Sequence, residues 1–301
     1  LTGSQACNAF MRKSGSMSRV VVTGLGVVSS IGNSCREVLP ALRQGHSGIV
    51  YLPEMEALGF KCCLYGTIKG LDTSCIGKRQ LRTMSDVSRY AAVAALEALE
   101  NARLTKEEVA GERTGIVLGS GLGGISEVTR IEWMLKDGMR LSRAGASGPV
   151  KMMGSPAAAN LAACLGVQGR VYSLTSACCT GLDSIGHGYE MLRHGILDVC
   201  FCGGAEETMW KHIGAAFDNS GEMPRSYNER PEHACRPFDR DREGFVLSAG
   251  AGVLGLERLE YAESRRAPIW GEIVGYGSAD DGVDMFRPTG EGLERAVRQC
   301  L

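Results

Sequence analysis

Short apolar runs and amphipathic stretches alternate along the chain from Arg19 onward. A β-branched run at 20–23 reads as a strand; a glycine-rich turn follows, and apolar spacing then predicts a helix over 34–43. A longer amphipathic helix is predicted over 85–103. Beyond it the pattern predicts a strand at 114–118, helices at 126–136 and 156–164, a strand at 171–175, a helix at 179–193 and a buried strand at 199–202. Residues 244–256 are small and apolar at almost every position, which suits a strand buried on both sides, and a charged helix is predicted from 256 to 266. This rhythm implies crossover units and a largely parallel sheet covered on both faces, an α/β architecture.

A faint repeat runs through the pattern. Val22-Thr-Gly-Leu-Gly26 is echoed by Val274-Gly-Tyr-Gly277, which follows a strand predicted at 269–274. The echo predicts two similar halves, the second just beginning. Leu293, Ala296, Val297, Cys300 and Leu301 form a helical apolar face that stops without a cap or breaker, so the chain is expected to end in mid-domain. The expected division is a tag remnant or disordered tail at 1–16, a first half at 17–266 that carries the nucleophile discussed below, and the truncated start of a second half at 267–301.

A length of 301 residues accommodates one large domain or two ordinary ones. With 33 basic against 34 acidic residues the chain has no general pull toward nucleic acid or membrane, so an electrostatic partner must be met by a local patch. No apolar run reaches the roughly 18 residues of a spanning helix, and residues 1–16 lack the apolar stretch of a signal peptide. The 12 cysteines are spread through a long chain, many in apolar segments such as Val199-Cys-Phe-Cys202, which points to a cytosolic protein with reduced thiols. Cys62-Cys63 and Cys200/Cys202 lack a second ligand pair at zinc-finger spacing, so no metal site is expected.

The candidate chemistry centres on Ser173-Leu-Thr-Ser-Ala-Cys-Cys-Thr-Gly181, where strand pattern gives way to helix pattern and Cys178 falls at the turn. The N–H groups and dipole of a first helical turn favour thiolate, and such a turn holds sulfur at the rim of a sheet. Cys179 competes with it, although one residue further on its side chain should point elsewhere. On pattern alone, a nucleophile and a small buried hydrophobe are both open readings. Gly119-Ser-Gly-Leu-Gly-Gly124 satisfies GxGxxG, but it lies deep in the chain and Leu141 stands where a dinucleotide fold needs an acid about 20 positions on. A tight glycine loop beside a pocket is the expected reading. Asp239-Arg-Asp-Arg-Glu-Gly244 opens like a calcium loop but has Gly250 at the twelfth position, so a solvated or salt-bridged turn is expected. His46, His187, His194, His212 and His233 show no metal spacing, and His187 is more than two turns from Cys178.

At these residues the chain resembles the β-ketoacyl-acyl carrier protein synthases, most closely the type I condensing enzymes of bacterial fatty acid synthesis. The likeness runs from Arg19 to the end. It rests on Val22-Thr-Gly-Leu-Gly-Val-Val-Ser-Ser-Ile-Gly32, Ser176-Ala-Cys-Cys-Thr180, Gly203-Gly-Ala-Glu-Glu207, Arg236-Pro-Phe-Asp-Arg-Asp-Arg-Glu-Gly-Phe245 and Gly271-Glu-Ile-Val-Gly-Tyr-Gly277. Glu207 and Ser278-Ala-Asp-Asp-Gly-Val-Asp284 resemble type I, whereas Gly121-Leu-Gly123 is more similar to type II. The resemblance implies a thiolase-like fold, two similar halves stacked as α-β-α-β-α layers with the second half incomplete, in a cytoplasmic homodimer. It implies Cys178 as the residue that takes an acyl chain from acyl carrier protein before decarboxylative condensation with malonyl carrier protein, without metal or organic cofactor. Leu122, Met153 and Phe217 are implied to line or gate the acyl pocket, Met153 from across the dimer interface; ordinary core is the other reading of each. Lys78, Arg79 and Arg82, and by a weaker match Arg140 and Arg143, are implied to form the basic face that docks the acidic carrier protein; otherwise they are a solvated face.

The family's two catalytic histidines, in a His-Gly-Thr and a Gly-His motif, and its Gly-Phe-Gly-Gly loop have no counterpart in these 301 residues. The chain alone is therefore expected to acylate slowly and not to condense. A non-catalytic subunit or carrier-protein-binding fragment of a ketosynthase assembly is the alternative, and a thiolase-fold enzyme of other acyl chemistry, such as a decarboxylase, comes third.

Overall fold

The computed structural model describes residues 17–207 and 211–301; the tail expected at 1–16 lies outside the described residues. Along the chain run β1 (Val20–Val28), α1 (Cys35–Arg43), β2 (Ile49–Tyr51), β3 (Leu64–Gly66), a short helix Lys78–Leu81, α2 (Asp86–Asn101) and β4 (Thr114–Gly119). There follow α3 (Ile125–Lys136), a short helix Gly148–Met152, α4 (Pro156–Leu165), β5 (Val171–Tyr172), α5 (Thr180–Arg193) and β6 (Val199–Glu206). The last elements are α6 (Lys211–Ser220), β7 (Gly250–Arg258), a short helix Leu259–Ser264, β8 (Gly271–Ile273) and α7 (Glu291–Cys300).

The main sheet has the order β5-β4-β6-β7-β1-β8. Its strands alternate residues between two helical layers. Ile116, Leu118, Val199 and Phe201 face α2 and α4, in a core with Ala91, Ala94, Ala98 and Leu161. Val117, Cys200, Cys202 and Leu256 face the other way, against Tyr189 and Leu192 of α5. Each fully buried aliphatic side chain contributes about 1.5–3 kcal/mol, so both faces hold the sheet. A third cluster joins the β2–β3 hairpin to the stretch before β7 through Met55, Tyr65, Met223 and Tyr227.

The sheet is mixed, not largely parallel. β4 pairs in parallel with β5 and β6, whereas β7 is antiparallel to both β6 and β1, and β8 is antiparallel to β1. Chain between β6 and β7 packs its own cluster on the hairpin and re-enters the sheet at the end where β6 left it, pairing Glu206 with Gly250. The strand expected from residue 244 accordingly begins only at Gly250. β5 keeps two residues, since the chain leaves the sheet there to form the turn that bears Cys178.

The echo between the two glycine motifs is physical. A Cβ on Gly24 or Gly26 would collide with the carbonyl oxygens of Ala98 and Ala94, so β1 lies directly against α2. A Cβ on Gly275 or Gly277 would collide with the carbonyl oxygens of Cys300 and Ala296 of α7 in the same way. In both motifs, glycines two apart meet helix carbonyls four apart, one turn of an α-helix.

Candidate active site around Cys178

After β5 the chain passes into a 3-10 turn, Ala177–Cys179, that feeds α5. Ala177 has φ 50°, a left-handed conformation that costs a residue with a Cβ about 1–3 kcal/mol unless its surroundings hold it. They do. Thr180 Oγ1 accepts from the Ser176 N–H at 2.8 Å and donates to the Ala177 carbonyl at 2.7 Å. Ser176 Oγ donates to Asp183 Oδ2 at 2.5 Å. The turn therefore carries Cys178 ahead of the helix, and Cys179 is the N-cap residue rather than a residue inside it. Both thiols are exposed. Cys178 lines an open cavity of about 650 Å³, and Cys179 is absent from its wall.

The cavity sits where the C-terminal ends of β1, β4 and β6 come together, the usual binding edge of an α/β sheet. One wall is the loop after β4. Glu206, at the end of β6, receives the Ser120 hydroxyl at 2.7 Å, the Gly121 N–H at 2.7 Å and the Leu122 N–H at 3.3 Å. Ser120 Oγ in turn accepts from the Gly123 N–H at 2.8 Å, and Thr175 Oγ1 donates to the Ser120 carbonyl at 3.0 Å. Gly123 has φ 65°, and a Cβ there would press on the Met153 carbonyl oxygen at 2.9 Å. The N–H groups of this GxGxxG segment are thus held by the protein's own side chains, and the expected tight glycine loop beside a pocket is what forms.

Glu207 extends the same arrangement inward. Only 3% exposed, it accepts from the Val87 N–H at 3.0 Å and the Ser126 N–H at 2.8 Å, each in the first turn of its helix, α2 or α3. Burial pushes its carboxyl above the usual range, and the two N–H groups oppose that shift. In the sequence Glu207 stands out only as a family signature, Glu206, Ser120 and Thr180 only as members of quoted motifs with no role of their own, and Asp183 not at all. The available signal was an acidic pair closing a buried glycine-containing strand, where the carboxylates take most of their donors from nearby backbone.

Leu122, Met153 and Phe217 do not line this cavity. Leu122 follows Gly121 of the wall and is 38% exposed. Met153 is 56% exposed and borders a separate cavity with Thr83 and Val150. Phe217 packs edge-to-face on Phe245, centroids 5.3 Å apart, in the hairpin cluster. Lys78, Arg79 and Arg82 are exposed on and just after the short helix 78–81, and Arg140 and Arg143 are exposed around the turn at 141–144. Arg82 is next to Thr83, which hydrogen-bonds Asn160 of α4 at 2.6 Å and shares the Met153 cavity.

None of the five histidines lines the Cys178 cavity. His187 Nδ1 lies 3.1 Å from the Asp183 carbonyl on its own helix. Asp239 forms a salt-bridged turn, with Arg236 at 3.1 Å and the Asp241 N–H at 2.8 Å. Among the described residues no group of three or more His, Cys, Asp or Glu side chains is disposed to hold a metal ion, and no helix is long and apolar enough to cross a membrane.

An exposed thiol on a side-chain-braced turn, opening onto a cavity at the edge of an α/β sheet, suits a nucleophilic cysteine. Residues 17–262 match the model of the beta-ketoacyl synthase N-terminal domain, and the chain belongs to that family, with its thiolase-like fold. It is 41% identical over 289 residues to 3-oxoacyl-[acyl-carrier-protein] synthase 1 of Haemophilus influenzae, covering 95% of this chain and 70% of that protein. Among solved structures, a beta-ketoacyl synthase from Burkholderia phymatum superposes with a TM-score of 0.87 at 32% identity, covering 95% of this chain and 70% of that one. A type II polyketide ketosynthase, solved in complex with its acyl-carrier protein and bound to a hexaketide, superposes with a TM-score of 0.83 at 25% identity over 94% of this chain and 70% of that one.

Proposed function

We propose that this chain accepts an acyl group from acyl carrier protein on Cys178, as the first half of a β-ketoacyl synthesis in fatty acid elongation. The Cys178 thiolate attacks the thioester carbonyl, the tetrahedral intermediate collapses, and the carrier's thiolate leaves and takes up a proton. The Cys178 N–H is the first donor to the intermediate's oxyanion; a donor of this type contributes about 3 kcal/mol. In the second half, malonyl carrier protein loses carbon dioxide, its enolate carbon attacks the acyl carbonyl, and the Cys178 thiolate is released. The observation that carries the reading is the strained, side-chain-braced turn that opens Cys178, not Cys179, onto the cavity. With every histidine away from that cavity, this chain is expected to perform the first half-reaction without the second.

Leu122, Met153 and Phe217 are the proposed acyl-chain wall, which is completed in a cytoplasmic homodimer; the exposure of Met153, Met152 and Val150 supports a second copy at that surface. The proposed halves are 17–266 and 267–301, in line with the repeated glycine-on-helix contacts. Lys78, Arg79, Arg82, Arg140 and Arg143 are the proposed carrier-protein face, local cations on a nearly neutral chain. Intact-mass analysis after incubation with an acyl carrier protein thioester tests all of this at its root. Addition of one acyl group, lost in Cys178→Ser and kept in Cys179→Ser, is expected; label on Cys179, or no label, defeats the reading. Lys78→Glu with Arg79→Glu should slow the acylation roughly tenfold at low salt and much less at high salt.

A further inference from the structure

The turn that carries Cys178 is fastened to a distant part of the chain through one carboxylate. Asp183 lies in the first turns of α5. Its Oδ2 receives the Ser176 hydroxyl at 2.5 Å, while its Oδ1 receives the Tyr276 hydroxyl at 2.7 Å and the Ser278 hydroxyl at 3.3 Å. Tyr276 is seated for this role. Its ring lies against Gly186 so closely that a Cβ there would run into it, and its neighbour Gly277 is pressed on α7. Burial, reinforced by the Asp183 carboxylate, pushes the Tyr276 phenol to about 12, so it is a standing donor. Burial alone would raise Asp183, but the hydroxyls of Ser176, Tyr276 and Ser278 outweigh it and hold the carboxyl below its usual range. His187 and Glu190 border the same polar cavity as Asp183, Tyr276 and Gln299, and none of these groups lines the Cys178 cavity.

We infer that Asp183 and Tyr276 are positioning residues for Cys178: the segment after β8 sets the geometry of the nucleophile turn through the chain Tyr276, Asp183, Ser176. The inference rests on the proposed role of Cys178 as acyl acceptor. Ser176 immediately precedes the left-handed Ala177, so a hold on its side chain fixes the direction in which the peptide enters Cys178. Thr180 fixes the backbone of the same turn, and Asp183, one turn further along α5, holds the Ser176 side chain.

The test compares Tyr276→Phe, Asp183→Asn and Ser176→Ala, singly and with Tyr276→Phe in the Ser176→Ala background. Three rates are read on the whole chain: acylation of Cys178 by a carrier-protein thioester, alkylation of Cys178 by iodoacetamide, and hydrogen exchange of the 176–180 amides. Tyr276→Phe is expected to slow acylation about tenfold and speed exchange about tenfold, with alkylation changed less than twofold. In the Ser176→Ala background it should add less than twofold to either effect. Asp183→Asn, which removes the charge, should slow acylation as Tyr276→Phe does; faster alkylation at neutral pH would mark a purely electrostatic role and overturn the inference. Equal effects of Tyr276→Phe with and without Ser176 also overturn it. A wild-type chain that alkylates but takes no acyl group defeats the acyl-acceptor reading alone, and the exchange rates then decide the positioning chain by themselves.

Discussion

At the scale of single residues, the site is a problem of holding a strained peptide open to solvent. Ala177 could relax if its neighbours let go, and the neighbour with most to do is Thr180, 4% exposed, which satisfies a donor and an acceptor of the turn at once. Thr180→Val keeps shape and removes both bonds. An unpaired backbone group inside a protein costs about 1–3 kcal/mol, so the variant should lose that much stability in urea titration and, with a looser turn, acylate Cys178 roughly tenfold more slowly. Full acylation rate in a destabilised protein would show that the turn needs no brace. The candidate site was partly legible in sequence: the strand-to-helix change put Cys178 at the turn and the family resemblance implied it as acyl acceptor, but which thiol faces the cavity is a matter of backbone geometry. That follows from a left-handed Ala177, and nothing about an alanine advertises a positive φ.

Between elements, the pair Glu206 and Glu207 organises the cavity wall. Glu206 holds the loop that ends β4, and Glu207 gives one carboxylate to the first turns of two helices, α2 and α3. Helix N-termini carry unsatisfied N–H groups and partial positive charge, so a buried carboxylate shared between two of them is a joint as well as a cap. Glu207→Ala strands both donors and should cost ~2–4 kcal/mol, with Val87 and Ser126 amide exchange accelerated together. Glu207→Gln keeps one acceptor oxygen and should fall between; exchange rising at one helix alone would mean that the two ends are not coupled. Helix positions were well anticipated because amphipathic spacing is a local property: 126–136 was expected and Ile125–Lys136 is found. Strand direction was not, since it is set by where an excursion re-enters the sheet. The motif Gly203-Gly-Ala-Glu-Glu207 was read for its family likeness, and its mechanical role emerged only with the helix ends it meets.

For the molecule as a whole, the question is what keeps β4, β6 and β7 in register at the end opposite the cavity, so that their other ends can shape it. Asp198, just before β6, receives Arg113 Nε at 3.0 Å and Nη2 at 2.7 Å from the residue before β4, and Arg258 Nε at 2.7 Å from the end of β7. Its side chain is 18% exposed, against 51% for Arg113 and 27% for Arg258, so the cluster stands between a surface pair and a buried one. Burial by itself would raise the Asp198 carboxyl; the two guanidinium groups outweigh it and hold the carboxyl below its usual value. A carboxylate depressed in the folded state contributes stability above its unfolded pKa of about 4, and that contribution is lost as pH falls through the lower folded value. Asp198→Asn should therefore cost ~1–3 kcal/mol at neutral pH, between the figures for exposed and buried pairs. The gap between wild type and variant should close as pH drops from about 5 toward 2, because the protonated aspartic acid and the asparagine then bind the arginines about equally weakly. Urea titrations of both proteins across that range give the comparison directly. A gap that persists undiminished at the acid end would assign the loss to packing at residue 198 and leave the register of the sheet to its backbone ladders alone.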